Sequence, residues 1–150
     1  MKTFVILTVL FSYLINSSSS QLLGEQQMSS AHYLCALSSD AAVLNEITKA
    51  LEGKPIESTN FRQYLTCFFQ KMNFSDINNQ LKMDQMKRFV PEDHEKKITI
   101  DRIINHCDYI TSSGFNSTAA NFFKCFRANS DSVINWYEFL NKVKNHLNLN

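Results

Sequence analysis

Glycine and proline are scarce: the 150 residues hold three of one and two of the other. With so few breakers the chain has no Pro- or Gly-rich linker, and neither an internal repeat nor a low-complexity tract divides it. One domain is expected. Charge of a single sign is lacking too, since 15 basic side chains face 14 acidic ones for a formal net charge of +1. There is no basic block and no basic stripe with interleaved aromatics, so neither nucleic acid nor an anionic membrane is indicated as a partner. Beyond residue 20 no apolar run approaches the roughly 20 residues that a spanning helix needs. Strand-like alternation is missing as well.

What is present begins with a leader. Lys2 supplies a basic start, residues 4–15 are almost unbrokenly apolar, and residues 16–20 are small and polar, which suits signal-peptidase cleavage. Cleavage near Ser20 is expected, making residues 1–20 a signal peptide and residues 21–150 a single domain in extracellular fluid. Lys2 leaves with the leader, so 14 basic and 14 acidic side chains remain. Beyond it lie four cysteines, at positions 35, 67, 107 and 125. An even number in a small exported chain reads as a disulfide framework before a metal site or a nucleophile.

The rest reads as helices, six or seven in all. A first, over Glu25–Ser38, spaces Met28, Ala31, His32 and Cys35 at helical intervals. Asp40 is placed to cap a second, carrying Val43, Leu44, Ile47 and Leu51, which Gly53 and Pro55 end. The third has the clearest pattern, with Phe61, Tyr64, Leu65, Phe68, Phe69 and Met72 on one face and Asn60 with Gln63 in a capping-box relation. A polar loop over 73–79 leads to a short helix with Met83, Met86, Phe89 and Val90, stopped at Pro91. A fifth sets Ile100, Ile103, Ile104, Cys107 and Ile110 on one face and ends at Gly114. A sixth, capped by Asn116 or Ser117, carries Ala119, Phe122, Phe123 and Phe126. From Ser130 to about Leu147, the spacing of Val133, Trp136, Leu140, Val143 and Leu147 predicts a seventh.

A leader, six or seven short helices, and cysteines on helices one, three, five and six resemble the insect pheromone-binding and general odorant-binding protein family. That family usually carries six cysteines. Cys107 and Cys125 match its fourth and sixth, and Asn116 stands where the fifth would be. The segment Cys67-Phe68-Phe69-Gln70-Lys71-Met72-Asn73-Phe74 resembles the stretch that the family's third cysteine opens, which puts the missing second at Gln63. The family pairs its second with its fifth, so both halves of one bridge are absent together. In this the chain is similar to the four-cysteine Minus-C odorant-binding proteins. The resemblance implies bridges Cys35–Cys67 and Cys107–Cys125. Residue by residue, four cysteines allow three connectivities, and only the second pair is favoured physically, by two antiparallel helices joined through a short turn.

The resemblance further implies a compact all-α bundle around an apolar cavity and a carrier of odorants, pheromones or other hydrophobic molecules. Its pocket positions correspond to Met28, Leu65, Phe69, Ile104, Phe122 and Phe126, with Phe68, Met83, Met86, Phe89, Ile103 and Trp136 as neighbours. Ten of the twelve phenylalanines and four methionines lie beyond residue 20. Rings and thioethers of this kind adapt to varied apolar ligands, although the same stripes also describe an ordinary core. Tyr33, Tyr64 and Tyr109 are candidates for orienting a ligand. No cofactor is implied. The partner is a small ligand, with a chemosensory receptor or another extracellular protein as a further candidate. The competing reading is a gland, venom or reproductive-fluid interaction or signalling protein without a working cavity.

Catalysis finds no support. His32, His94, His106 and His146 lack a serine or acidic partner in a nucleophile motif, and His106 beside Cys107 has no Cys-x-x-Cys or His-x-x-x-His companion. Residues 127–138 imitate a calcium loop through Asn129, Asp131 and Glu138, but its first acid is Arg127 and its glycine is Ser132. Those three polar residues are expected instead to cap and solvate the last helix. Sequons at Asn73 and Asn116 are candidate glycosylation sites, the first in a loop and the second at a helix junction. The tail after Cys125 is expected to cover a cavity mouth or bind a partner surface.

Overall fold

The computed structural model describes residues 19–40, 42–55, 57–112, 118–138 and 141. Among them are six helices: α1 (Ser19–Leu37), α2 (Ala42–Leu51), α3 (Thr59–Lys71), α4 (Met83–Phe89), α5 (Lys97–Ser112) and α6 (Ala119–Asn129). Among the described residues the extended structure is one isolated antiparallel bridge, Ser75 with Leu81. Residues 1–18 of the expected leader, with Gly114, Asn116, Ser117, Leu140, Val143, His146 and Leu147, lie outside the described residues, whereas Ser19 and Ser20 fall in the first turn of α1.

α1 begins six residues before the expected start at Glu25 and passes through Gly24. A β-carbon at Gly24 would stand 3.3 Å from Phe89 Cζ. The bare Cα therefore lets an α4 ring come up against α1, a contact that sequence periodicity does not reveal. At the other end the hydroxyls of Ser38 and Ser39 both donate to the Cys35 carbonyl. Asp40 caps α2 as expected, accepting from the Ala42 N–H at 3.0 Å. α2 then closes in a Schellman turn: Lys54 N–H reaches Lys49 O, Gly53 N–H reaches Ala50 O, and Gly53 takes φ +82°.

The cap of α3 differs from the Asn60–Gln63 box. Ser58, extended at φ −67° and ψ 149°, accepts from Phe61 N–H and donates to Glu46 on α2 at 2.6 Å. A tertiary carboxylate thus orients the hydroxyl, and Asn60 falls within the first turn. α3 ends in a second Schellman turn, with Phe74 N–H on Phe69 O, Asn73 N–H on Gln70 O, and Asn73 at φ 59°. The motif commonly brings its C″ and C3 residues into apolar contact. Here these are Phe74 and Phe69, edge to face at 5.9 Å.

α4 stops at Val90, as expected before Pro91. α5 buries Ile100, Ile103, Ile104 and Cys107, but the next inward residue is Thr111, 6% exposed, and Ile110 is 49% exposed. Four residues on from Cys107 lies closer to the same face than three, and the Thr111 hydroxyl is satisfied by the Cys107 carbonyl at 2.8 Å. Lys97 is buried as well. Its ammonium donates to Lys87 O at 2.6 Å and pairs with Asp101 at 3.0 Å, which ties the end of α4 to the first turn of α5. α6 is capped by Thr118, which accepts from Asn121 N–H. The last helix does not start at Ser130. Residues 130–135 turn, and helix resumes at Trp136 with Asn135 accepting from Glu138 N–H.

α3 packs against α1, α2 and α6, while α5 packs against α4 and α6. Two bridges tie these layers, Cys35–Cys67 with Cα atoms 5.7 Å apart and Cys107–Cys125 with Cα atoms 5.6 Å apart. The pairing is the one that the family resemblance implied. Replacing Cys107 and Cys125 together by serine is expected to lower the unfolding free energy by about 3 kcal/mol, the chain-entropy value for a loop of this size. Urea denaturation of the double variant against the native chain measures it.

Candidate functional site

The apolar stripes of α3, α4, α5 and α6 meet in one core. Leu65, Phe69, Met86, Ile103, Ile104 and Phe122 are buried in it, and Phe68, Met83, Phe126 and Trp136 pack against it half-buried. Met28 and Phe89 are half-buried on α1 and α4. All twelve expected pocket residues are thus at least half-buried.

Ring contacts knit this interior together. Tyr64 stacks on both Phe61 and Phe68, with centroids 6.2 and 6.1 Å away. From Phe68 the contacts run through Phe69 to Phe74 and on to Phe89, the last step at 5.5 Å and edge to face. A branch leaves Phe69 for Phe122 and Phe126. Another runs from Phe61 through Phe123 to Trp136. Phe61, Phe74 and Phe123 belong to the network although they were not among the expected pocket residues. Phe61 shares the α3 stripe, so its signal was present. Phe74 was legible only through the Schellman geometry at Asn73.

A polar pair enters the network between α1 and α3. His32 of α1 and Tyr64 of α3 meet through His32 Nδ1 and the phenol oxygen, 2.5 Å apart, with rings nearly perpendicular. Burial holds His32 below its ordinary pKa and raises that of Tyr64 above the usual phenol range, so both prefer the neutral form. His32 Nε2 is buried without a hydrogen-bond partner. The other two tyrosine candidates, Tyr33 and Tyr109, are exposed and do not face this interior.

At the far end of the core Arg127 occupies the first position of the calcium-like loop. Its Nε donates to the Leu51 carbonyl at 3.0 Å, its Nη1 pairs with Asp131, and its guanidinium lies 4.9 Å from the Trp136 ring centre. Asp131, a would-be ligand, is therefore engaged by a cation, and Asn129 donates to the Cys125 carbonyl. Neither caps the last helical turn, a role taken by Asn135. No group of three His, Cys, Asp or Glu among the described residues is placed to hold a metal. His106 is exposed, and its neighbour Cys107 is consumed in a bridge.

A cleft of about 430 Å³ lies where α4 begins, lined by Leu81, Lys82, Met83, Asp84, Gln85 and Asp108. Of the expected pocket residues it takes in Met83. Asn73, the sequon residue among those described, is exposed and accepts from Lys82 Nζ at 2.8 Å. No described helix is long and apolar enough to cross a membrane.

These features define a class, a small all-helical protein tied by two disulfides around an aromatic and thioether interior. The chain belongs to the PBP/GOBP family, whose family model matches residues 22–129, from the first turns of α1 to the end of α6. No curated protein and no solved structure matches it.

The side chains described so far lead to two expected outcomes. Because folding depresses the pKa of His32, the unfolded chain takes up a proton before the folded one as pH falls below 6.5, the ordinary value. The contribution of His32 is therefore present above that pH and lost on acidification. Thermal scans between about pH 7 and 5 should show a falling Tm, and His32→Gln should flatten the slope. Excess calcium should leave Tm unchanged relative to a chelator, since Arg127 and Asp131 neutralise each other where the ion would sit; a calcium-dependent rise would contradict that geometry.

Proposed function

We propose that the chain is a secreted carrier of small hydrophobic molecules, taken up in the interior between α1, α3, α4, α5 and α6. Membership of the PBP/GOBP family supports this. The observation that carries it is the ring network, whose members Phe68, Phe89, Phe126 and Trp136 remain half-buried beside a fully buried floor. Apolar surface that the chain does not cover itself is surface that a ligand gains by covering. At roughly 25 cal/mol per Å², a small volatile or lipid burying such area binds in the micromolar range. Methionines at 28, 83 and 86 allow the lining to adapt. The role is carriage through aqueous fluid, without bond making or breaking.

The leader over residues 1–20 directs export in this reading, and the absence of a cysteine at Gln63 agrees with a Minus-C member that holds its pocket with two bridges. Gln63 is exposed on α3, so no buried group waits there for a partner.

Organic extraction of the purified protein, coupled to mass spectrometry, is expected to release an apolar molecule. The apolar fluorophore N-phenyl-1-naphthylamine should bind and be displaced by volatile hydrocarbons. Phe126→Asp places a carboxylate beside Phe122, whose ring stacks on Phe126 at 6.0 Å. Binding should fall at least tenfold while circular dichroism keeps its helical signal, an estimate from losing about 1.5–3 kcal/mol of side-chain burial. Failure of the dye and of any extract to show a ligand would favour the interaction or signalling reading.

A further inference from the structure

His32 stands on a stripe of α1 that also holds Gly24, Met28 and Cys35. Phe89 lies against Gly24 at one end of the stripe, and at the other Cys35 is bonded to Cys67. Helical side chains lean toward the N-terminus, so the imidazole lies over the turn of Met28 rather than over the bridge. Tyr64, stacked on Phe61 and Phe68, holds its hydroxyl against Nδ1.

The donors and acceptors of the pair do not balance. Neutral imidazole has one N–H and one bare nitrogen, and the phenol has one O–H. If the phenol donates to Nδ1, the imidazole hydrogen is on Nε2, which has no protein partner. If Nδ1–H donates instead, the phenol hydrogen is the one left over. Either arrangement leaves one donor unmet in an apolar setting, and buried donors normally find an acceptor. The phenol is the more acidic donor, which favours the first arrangement and leaves Nε2–H as the buried donor without a protein acceptor.

We infer that His32, positioned by Tyr64, is the hydrogen-bonding contact for ligands in this interior, donating to the oxygen of a small apolar ketone, aldehyde or ester. The inference rests on the carrier reading and narrows its ligand class. Burial keeps the imidazole neutral, so a neutral carbonyl suits it better than a carboxylate. Met28 and Phe68 flank the pair in sequence register on α1 and α3, where a hydrocarbon chain would lie.

The test compares 2-nonanone with nonane, equal in chain length and different in one carbonyl, as displacers of N-phenyl-1-naphthylamine. In His32→Phe the affinity for 2-nonanone should fall about fivefold, the usual net worth of a hydrogen bond, while that for nonane is unchanged. A measurement on the native chain needs no variant: the His32 ring nitrogen resonances should move when 2-nonanone is added and stay when nonane is added. Equal losses for both molecules in His32→Phe, or ring nitrogens indifferent to the ketone, would overturn the assignment and leave the carrier reading standing. If the native chain binds neither the dye nor either displacer, the carrier reading falls and takes this assignment with it.

Discussion

The aromatic stripe of α3 is the constraint on which the rest of the fold depends. Phe61, Tyr64, Leu65 and Phe69 are buried on one face of a 13-residue helix. A face that wide cannot be covered by one neighbour, so α1, α2 and α6 all pack against it. Each is then held by chemistry of a different kind. The Cys35–Cys67 bridge fixes α1, the Ser58–Glu46 hydrogen bond orients α2, and ring contacts from Phe61 and Phe69 receive α6. Because helical side chains turn by about 100° per residue, a one-residue slip of α3 would remove all three attachments together.

Long cations make the joints between these layers. Arg127 closes the end of α2 through the Leu51 carbonyl, pairs with Asp131 and lies over Trp136, thereby joining α2, α6 and the segment after it. Lys97 does the same between α4 and α5, with its ammonium satisfied by a carbonyl and by Asp101. In both cases the aliphatic stem is covered and the charged head is met by fixed acceptors, which is how a cation is kept near a core. Gly53 contributes by leaving room: a β-carbon there would stand 3.2 Å from Arg127 Nη2.

The two bridges also shape the interior. Both lie at the flanks of the ring network, one between α1 and α3 and one between α5 and α6. Cross-links act mainly by restricting the unfolded chain, so they secure the bundle without filling its centre. The centre is left to rings and thioethers, which pack with many small contacts and few directional ones. The His32–Tyr64 pair is a directional element within it, and neutral groups are the form that such surroundings favour.

Helix number, most helix ends and the inward stripes were legible from spacing alone, since Phe61 to Met72 repeat with the helical period and Asp40, Gly53 and Pro91 punctuate the chain. The family resemblance drawn from cysteine spacing extended this to the disulfide pairing, and ten of the twelve residues it singled out lie in or against the one core. Where sequence reading went astray, tertiary contacts were the cause. Gly24 lies inside α1 where its missing side chain admits the Phe89 ring, Ser58 rather than Asn60 caps α3 because Glu46 orients its hydroxyl, and Thr111 replaces Ile110 inside because the Cys107 carbonyl meets its hydroxyl. Local pattern therefore settled which segments are helical and which faces are apolar, as both depend on neighbours three and four residues away. Packing between distant segments alone decided which rings touch, where Arg127 reaches, and that His32 meets Tyr64 across 32 residues, because those distances exist only once the chain has closed on itself.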